Sequence, residues 1–494
     1  MLNPSETTTI LLIILVALGI LTWGYNRAKS YGKSVVLSEL QLLTLIVPWL
    51  VSFGLFAAGI YLNLVAILFL LVTSLAVYIY LGKRLRAEGQ DVILRKKTAD
   101  NLQEQYKTNK SQVNQSGKSR LDSNLKIVAD DLPIPKEELK LIKGIFGIDT
   151  FFATETISYQ KGAIFKGNLR GEPDTVYDRL SEKLKACLFD KYRLFLVEGT
   201  ERKPVVIVLP SIVDPRPTTL VQKNVALVLF VATILTSLEA SGILLGFDLF
   251  SDWSRYKEAI PLSLGLWTIL IAHEISHRLL AKRHNVRLSV PFFLPTWQIG
   301  SFGAITRFES LLPNRNILFD VAFAGSAAGW GLSLVLLTVG LVLSHPGSLF
   351  QVPTQFFQGS ILVGSLARVV FGEELQKSLI DVHPLTIIGW LGLVISALNL
   401  LPAGQLDGGR IVQAIYGRKT AKLTTIVSLI VLGIVTLINP ENSLPLYWII
   451  VILFLQLDLE RPSLNELTEP DNTRATWGLL SLFLMLVTLI PWLF

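Results

Sequence analysis

Three side chains that could do chemistry stand close together in an otherwise apolar stretch of the sequence. "LWTILIAHEISHRLLAKR", residues 266–283, carries His273, Glu274 and His277. Residues four positions apart lie one above the other on a helix, so the two imidazoles can bind the same metal ion. Glu274 lies beside that face and can accept a proton from a water molecule at the metal. This H-E-x-x-H spacing is typical of zinc-dependent hydrolysis.

The alternative explanation for this pattern is chance, with the two histidines hydrogen-bonded to neighbouring helices. Short motifs do match by chance. In an apolar span, however, each ionisable group costs at least a few kcal/mol and is rarely kept without a role. The setting of the motif therefore favours metal binding.

A catalytic zinc site needs a third protein ligand, because two histidines make only half of a tetrahedral shell and the fourth position stays open. Residues 393–417, "LVISALNLLPAGQLDGGRIVQAIYG", place Asn399 on an apolar helix, interrupt it at Pro402 and Gly404, and then present Asp407. Interrupted backbone at membrane depth is tolerated where it is shielded by protein or lines a wet cavity. Asp407 is therefore the candidate third ligand. The alternatives are that Asp407 caps the following helix and that Asn399 is a packing amide.

The two motifs together resemble those of the site-2 proteases, which are intramembrane zinc metalloproteases. The family patterns H-E-x-x-H and N-x-x-P-x-x-x-x-D-G correspond to "HEISH", residues 273–277, and "NLLPAGQLDG", residues 399–408. The resemblance covers about residues 224–440. It implies one Zn²⁺ ion per chain, with Glu274 as the general base and Asn399 holding the substrate carbonyl or its oxyanion. It implies that the three zinc ligands are His273, His277 and Asp407. It also implies that Pro402 and Gly408 shape the backbone near the site.

A glycine-containing, alternating stretch follows the H-E-x-x-H helix. Residues 290–310, "VPFFLPTWQIGSFGAITRFES", include Gly300 and Gly303 and predict a β-hairpin. In the resembled family this place is a re-entrant hairpin that pairs with substrate, and pairing along a strand edge would expose a scissile carbonyl. The alternative is an interfacial loop. Further on, "AGSAAG" at 324–329 resembles a small-residue packing stretch of the family, with Ser326 where proline is common.

The composition predicts a membrane protein that crosses the bilayer several times. The chain has 494 residues, of which 51% are hydrophobic and 17% charged. Its net charge of +7 comes from short basic clusters beside apolar runs, so we expect no nucleic-acid partner. Cys187 is the single cysteine, which excludes an internal disulfide. Ten candidate spans lie near residues 9–25, 40–60, 62–81, 224–246, 261–281, 319–344, 384–401, 422–438, 444–458 and 476–494.

The basic clusters also predict an orientation. With ten spans, the clusters after the first, third, fifth and seventh spans all fall on one side, which the positive-inside rule makes cytoplasmic. This topology puts both chain ends outside, and it places His277 and Asp407 in the cytoplasmic half of the membrane. Residues 1–30 lack the features of signal and transit peptides and are expected to form a retained span. A bacterial membrane is the simplest location.

The fold expected from these patterns is an α-helical polytopic membrane protein of about ten spans, with a small soluble α+β insert and a re-entrant β-hairpin. "GNLRG", residues 167–171, is in sequence terms a glycine-flanked turn or loop. It resembles the GNLR signature of the EGY-type site-2 proteases of chloroplasts and cyanobacteria, which implies a cyanobacterial-type protein of the plasma or thylakoid membrane. The expected domains are accessory spans at 1–82, a flexible linker at 83–126, the α+β domain at 127–218, the catalytic core at 219–440 and C-terminal spans at 441–494.

The resemblance implies hydrolysis of peptide bonds within or near transmembrane segments, in regulated intramembrane proteolysis. The expected partners are the lipid bilayer and single-span membrane proteins, such as an anti-sigma factor. A metal-ion transporter and an inactive protease-like scaffold are the rival functions. Polar groups concentrated on two helices favour an enzyme over a transporter. The intact Glu274 argues against a scaffold, which needs no base beside a metal.

Overall fold

The computed structural model describes residues 134–159, 162–199, 203–296, 299–439, 442, 444–453 and 458–491, and single positions between 40 and 84. The spans predicted before residue 82 lie outside the described residues except at those single positions, and so does the linker predicted at 83–126. The chain divides into two compact units. The larger one, residues 131–218, 232–245 and 257–494, contains every predicted site residue.

Residues 134–213 form an α+β domain around one antiparallel sheet. In chain order the domain consists of α1 (Lys136–Gly144), β1 (Phe151–Tyr159), β2 (Gly162–Leu169), α2 (Pro173–Leu188), β3 (Tyr192–Glu198) and β4 (Pro204–Pro210). The strand order is β1-β2-β4-β3, which leaves β3 at one edge of the sheet. Helix α2 begins with Pro173, because the first turn of a helix does not need that N–H. It buries Val176, Leu180 and Leu184, which lie four residues apart on one face.

The GNLR stretch does not form the turn or loop that the sequence indicated. Gly167 lies within β2, opposite Ala153, beside a register shift in β1. A side chain at Gly167 would put its Cβ 2.1 Å from the carbonyl oxygen of Phe152. The prediction was wrong because this glycine permits a close approach of two strands, which glycine in a strand often marks, and does not terminate one.

The remaining elements are mainly apolar helices. In chain order they are α3 (Leu220–Leu244), α4 (Tyr256–Arg283), β5 (Phe292–Thr296), β6 (Gly300–Ile305), α5 (Arg315–Leu343), β7 (Phe350–Pro353), α6 (Gln355–Gln358), α7 (Ile361–Phe371), β8 (Leu379–Val382), α8 (Pro384–Asn399), α9 (Asp407–Ile438), α10 (Leu444–Val451) and α11 (Asn472–Leu489). Among the described residues, four helical stretches are long and apolar enough to cross a membrane, at Leu220–Leu244, Trp253–Arg283, Arg315–Leu343 and Asp407–Ile438. These helices fit a membrane protein.

Several predicted spans differ from the observed helices. The span predicted at 422–438 is the second half of α9, which starts at Asp407 and kinks at Gly417, where φ is 79°. The span predicted at 384–401 is the shorter α8. Of the span predicted at 444–458, α10 accounts for only eight residues, and 454–457 lie outside the described residues. Hydropathy alone missed the start of α9 because its first turns contain charged and glycine residues.

Helices α5 and α8 pack closely through small residues. An added Cβ at Gly389 would lie 2.2 Å from the backbone nitrogen of Leu337, and one at Gly340 would lie 2.3 Å from that of Thr386. Small residues let membrane helices approach until their backbones are nearly in contact. This packing holds α8, which ends at Asn399, against α5.

Candidate metal centre

Helix α4 positions the three residues of the H-E-x-x-H motif. It continues without interruption from Tyr256 to Arg283, and His273, Glu274 and His277 are all buried. The Nε2 atoms of the two histidines lie 3.0 Å apart. The spacing of four residues therefore brings both imidazoles to one point, as the sequence predicted.

Asp407 reaches the same point from the start of α9. Helix α8 ends at Asn399, residues 400–406 form a non-helical connection with Gly404 at φ 50°, and α9 begins at Asp407. Oδ2 of Asp407 lies 3.2 Å from Nε2 of His273 and 3.3 Å from Nε2 of His277. The alternative that Asp407 caps the helix is wrong. Leu406 occupies the N-cap position without a side-chain bond, and the Asp407 carboxylate faces the histidines.

The three donor atoms fit a tetrahedral zinc ion. Zinc binds imidazole nitrogen and carboxylate oxygen at about 2.0–2.2 Å, which places two tetrahedral ligands roughly 3.3–3.6 Å apart. The observed separations of 3.0, 3.2 and 3.3 Å are close to this range. Nδ1–H of His277 donates to the carbonyl oxygen of Val321 at 2.7 Å, which leaves Nε2 free to bind the metal. His273, His277 and Asp407 could therefore hold zinc with a fourth position open.

Two glycines of α5 allow this helix to lie against the histidines. An added Cβ at Gly325 would be 2.1 Å from Nε2 of His277, and one at Gly329 would be 3.1 Å from Nδ1 of His273. Between them, the hydroxyl of Ser326 donates to Oδ2 of Asp407 at 2.8 Å. The small-residue stretch therefore forms one wall of the metal centre.

Replacing Gly325 by alanine is expected to abolish zinc binding, because the new methyl group would occupy the position of a ligand nitrogen. Gly331→Ala on the same helix is the matched control, since a Cβ there meets no atom of the described residues within 4 Å. Zinc content after purification and thermal stability would be compared for both variants. Full zinc occupancy in Gly325→Ala would contradict this geometry.

The carboxylate of Glu274 lies beside the centre. Its Oε2 accepts a hydrogen bond from the hydroxyl of Thr306 at 2.9 Å. Its Oε1 is buried and has no hydrogen-bond partner among the described residues. A small cavity of about 10 Å³ adjoins His273, Glu274 and Asn399, which is room for roughly one water molecule. A buried carboxylate oxygen without a partner, next to such a cavity, can receive a proton from water.

The predicted hairpin forms as strands β5 and β6, and Asn399 contacts it. Nδ2 of Asn399 donates to the carbonyl oxygen of Phe302 at 3.2 Å and to that of Ile395 at 3.0 Å. Gly303, at φ 99°, would place a Cβ 2.8 Å from this same nitrogen. Asn399 thus joins the end of α8 to β6 near Glu274. The role of Asn399 in holding an oxyanion stays a prediction.

The other predicted backbone residues lie at two close contacts. Gly300, at φ 86°, would place a Cβ 2.8 Å from Cα of Ser237 in α3. A Cβ at Gly408 would be 1.9 Å from the carbonyl oxygen of Leu400, in the connection that contains the half-buried Pro402. These glycines therefore let the hairpin and the first turn of α9 pack tightly around the site.

Sequence reasoning missed three side chains of the centre. Thr306 binds Glu274, Ser326 binds Asp407, and the guanidinium of Arg410 lies 3.9 Å from Oδ1 of Asp407. The spacing of three residues between Asp407 and Arg410 on a helix could have identified the last contact. The carboxylate of Glu309, which follows the hairpin, accepts a hydrogen bond from the backbone nitrogen of Thr218 at 2.7 Å.

Comparisons with known proteins agree with this site. The family model described as EGY3 middle domain matches residues 140–216, which include most of the α+β domain. The model described as Peptidase family M50 matches residues 261–438, which include all three candidate ligands. No solved structure matches the chain.

Relatives in plants cover most of the sequence. The chain is 38% identical over 376 residues to "Probable zinc metalloprotease EGY2, chloroplastic" of Arabidopsis thaliana, covering 74% of this chain and 66% of the relative. It is 37% identical to the EGY2 protein of Oryza sativa subsp. indica, covering 74% and 68%. It is 36% identical to "Probable zinc metalloprotease EGY1, chloroplastic" of Arabidopsis thaliana, covering 72% and 71%. The chain spans about two thirds of the length of these relatives. The resemblance seen in the motifs is thereby confirmed, and the chain belongs to peptidase family M50, in the branch of the EGY zinc metalloproteases.

Proposed function

We propose that this protein is an intramembrane zinc metalloprotease that hydrolyses peptide bonds within or near transmembrane segments. The observation that carries the proposal is the convergence of two imidazole nitrogens and one carboxylate oxygen within 3.3 Å. They lie beside Oε1 of Glu274, which has no hydrogen-bond partner in the part of the chain that the structure describes. Membership of family M50 and the zinc metalloprotease names of the relatives support zinc as the cofactor.

In the proposed mechanism, His273, His277 and Asp407 would hold the zinc ion. When bound, zinc supplies Lewis acidity that polarises the scissile carbonyl and acidifies water. Glu274 accepts a proton from the attacking water while the water oxygen bonds to the carbonyl carbon. Glu274 then passes this proton to the amide nitrogen as the carbon–nitrogen bond breaks. The hydroxyl of Thr306 keeps Oε2 engaged, so that Oε1 is the oxygen that moves the proton.

The proposed substrates are single-span membrane proteins such as an anti-sigma factor. A peptide in a transmembrane helix has its carbonyls engaged in helix hydrogen bonds, so it must unwind before hydrolysis. We assign this task to the β5–β6 hairpin, as a re-entrant element whose edge pairs with the extended substrate. The contact of Asn399 with Phe302, beside the cavity that Glu274 also lines, supports this assignment.

The deciding experiment is hydrolysis of a single-span peptide by the purified, zinc-loaded protein in detergent, compared with the Glu274→Gln variant. Zinc transport into liposomes by the same protein, with no hydrolysis of any membrane peptide, would favour the transporter alternative.

We further propose that the protein crosses the membrane about ten times, in a cyanobacterial-type plasma or thylakoid membrane, with the metal centre towards the cytoplasm. What supports this orientation is the basic end of α4, at Lys282 and Arg283, and the basic residues in the middle of α9. The native Cys187 is exposed and provides the measurement. Labelling of Cys187 in intact cells by a membrane-impermeant maleimide would contradict the orientation.

A further inference from the structure

Arg410 is a buried cation that contacts two different parts of the chain. It lies on the first turns of α9, with 5% of the residue exposed. Its Nη2 donates to the carbonyl oxygen of Thr306 at 2.7 Å, and its Nε donates to Oε2 of Glu460 at 3.1 Å. Its guanidinium also lies over the ring of Phe308, 4.9 Å from the centroid. Arg410 thereby connects Thr306, which follows the hairpin, to Glu460, which lies far along the chain.

Thr306 transmits this contact to the proposed base. Arg410 binds its backbone carbonyl, while its hydroxyl donates to Oε2 of Glu274. The residue is therefore held at both its main chain and its side chain. Because a displacement of about 1 Å at a reacting group can cost roughly 100-fold in rate, a support of this kind matters for a base.

Glu460 is the buried partner of Arg410, with 6% of the residue exposed. Its carbonyl oxygen accepts hydrogen bonds from Nε2 of Gln413, at 3.1 Å, and from Arg418. Burying an ion pair is costly, and a well-packed apolar pair is often at least as stable. A role in holding Thr306 in place therefore explains this buried pair better than a contribution to stability alone.

The segment that carries Glu460 also binds the α+β domain. We call residues 458–468 the clip. Backbone nitrogens of Leu464 and Asn465 donate to the carbonyls of Leu312 and Pro313, at 2.8 and 2.9 Å. On its other side the clip pairs with the edge strand β3 through backbone hydrogen bonds. Leu196 donates to the carbonyl of Leu464 at 2.8 Å and accepts from the backbone nitrogen of Glu466 at 2.9 Å.

A side-chain contact reinforces this attachment. Nδ2 of Asn465 donates to Oδ1 of Asp174, at the start of α2, at 2.7 Å. The clip is thus bound to the α+β domain by backbone and side-chain hydrogen bonds, and to helix α9 through Glu460.

We propose that Arg410 and Glu460 are positioning residues for Glu274, and that the clip makes this positioning depend on the attached α+β domain. The inference rests on the proposed function for the role of Glu274. The path runs from β3 through the clip to Glu460, then through Arg410 and Thr306 to the base.

The first test separates positioning from folding at Thr306. Thr306→Val removes the hydroxyl at nearly constant shape and is expected to lower kcat roughly 10–100-fold, with KM changed less than about threefold. Thr306→Ser retains the hydroxyl and is expected to stay within about threefold of the wild type. Zinc content should be unchanged in both. Equal loss in the valine and serine variants would overturn the positioning role of the hydroxyl.

The second test concerns Glu460, with Glu469→Gln as the matched control, because Glu469 lies just beyond the clip and its side chain is 78% exposed. Glu460→Gln is expected to lower kcat roughly tenfold or more at nearly constant KM, whereas the control is expected to behave as wild type. In the double variant Thr306→Val/Glu460→Gln, the loss should not exceed that of the more damaging single variant by more than about threefold, since both act on one path. Multiplicative losses would overturn the path.

Hydrogen exchange provides a readout that needs no activity. Glu460→Gln is expected to increase amide exchange roughly tenfold both in residues 192–198 and in residues 303–308, and Glu469→Gln in neither. Unchanged exchange at 192–198 in Glu460→Gln would overturn the dependence on the α+β domain. A wild-type protein that binds zinc but hydrolyses nothing would refute the proposed function. The hydrogen-exchange result would still decide whether the clip links residues 192–198 to residues 303–308.

Discussion

Glu274→Gln is expected to retain zinc and to lose peptide hydrolysis by a factor of about 10²–10⁴ or more, which is the usual contribution of a general base. Glutamine has nearly the same shape as glutamate, and its carbonyl oxygen can still accept the hydrogen bond from Thr306. It cannot accept a proton at neutral pH. The donor atoms that converge on one point belong to His273, His277 and Asp407, so zinc content should not change.

The matched control for this variant is Glu309→Gln. Glu309 lies after the hairpin in the sequence, and its carboxylate binds Thr218 outside the metal centre. We expect the control to retain activity and zinc. In cells, membrane proteomics of Glu274→Gln should show single-span fragments that accumulate relative to wild type. Wild-type turnover in the Glu274→Gln protein would remove the proposed mechanism.

The metal centre could be predicted from the sequence because its geometry is mostly local. The separation of His273 and His277 fixes their common face on any regular helix, and the Pro402–Gly404 interruption marks where a second element could present Asp407. The predicted topology put His277 and Asp407 in the same half of the membrane, and the family resemblance implied that they bind the same ion. The close approach of α5 was visible only as a run of small residues, with no indication that Gly325 faces His277.

The contacts between distant parts of the chain that support the centre could not be predicted from the sequence. Arg410 and Glu460 are 50 residues apart and lie in stretches with no shared pattern. The clip pairs through only a few backbone groups. Its sequence therefore needs neither the length of a strand nor the alternation of apolar and polar residues that would predict one. Backbone hydrogen bonds carry no residue signature, so the attachment of β3 to residues 464–466 appears only in three dimensions.

Asp407→Asn is expected to weaken zinc binding by more than about 100-fold. Asparagine keeps the size of the side chain and can still accept the hydrogen bond from Ser326. It lacks the negative charge that balances the metal, and it leaves two imidazoles as an incomplete shell. Loss of an outer-shell partner alone costs about 10–100-fold in metal affinity, so loss of a ligand should exceed that. Zinc occupancy would be measured after mild chelation, together with peptide hydrolysis.

Asp471→Asn is the matched control, because Asp471 is a true helix cap. Its side chain accepts the backbone N–H of Arg474 at 3.0 Å at the start of α11, and asparagine caps a helix about as well as aspartate. This control should therefore keep both stability and zinc. If Asp407→Asn kept full zinc occupancy and still hydrolysed peptide, the third ligand would lie elsewhere. Among the described residues, the other carboxylate buried at the centre is Glu274. A role as ligand would remove its role as base, so Asp407→Asn and Glu274→Gln together decide how the two carboxylates divide the chemistry.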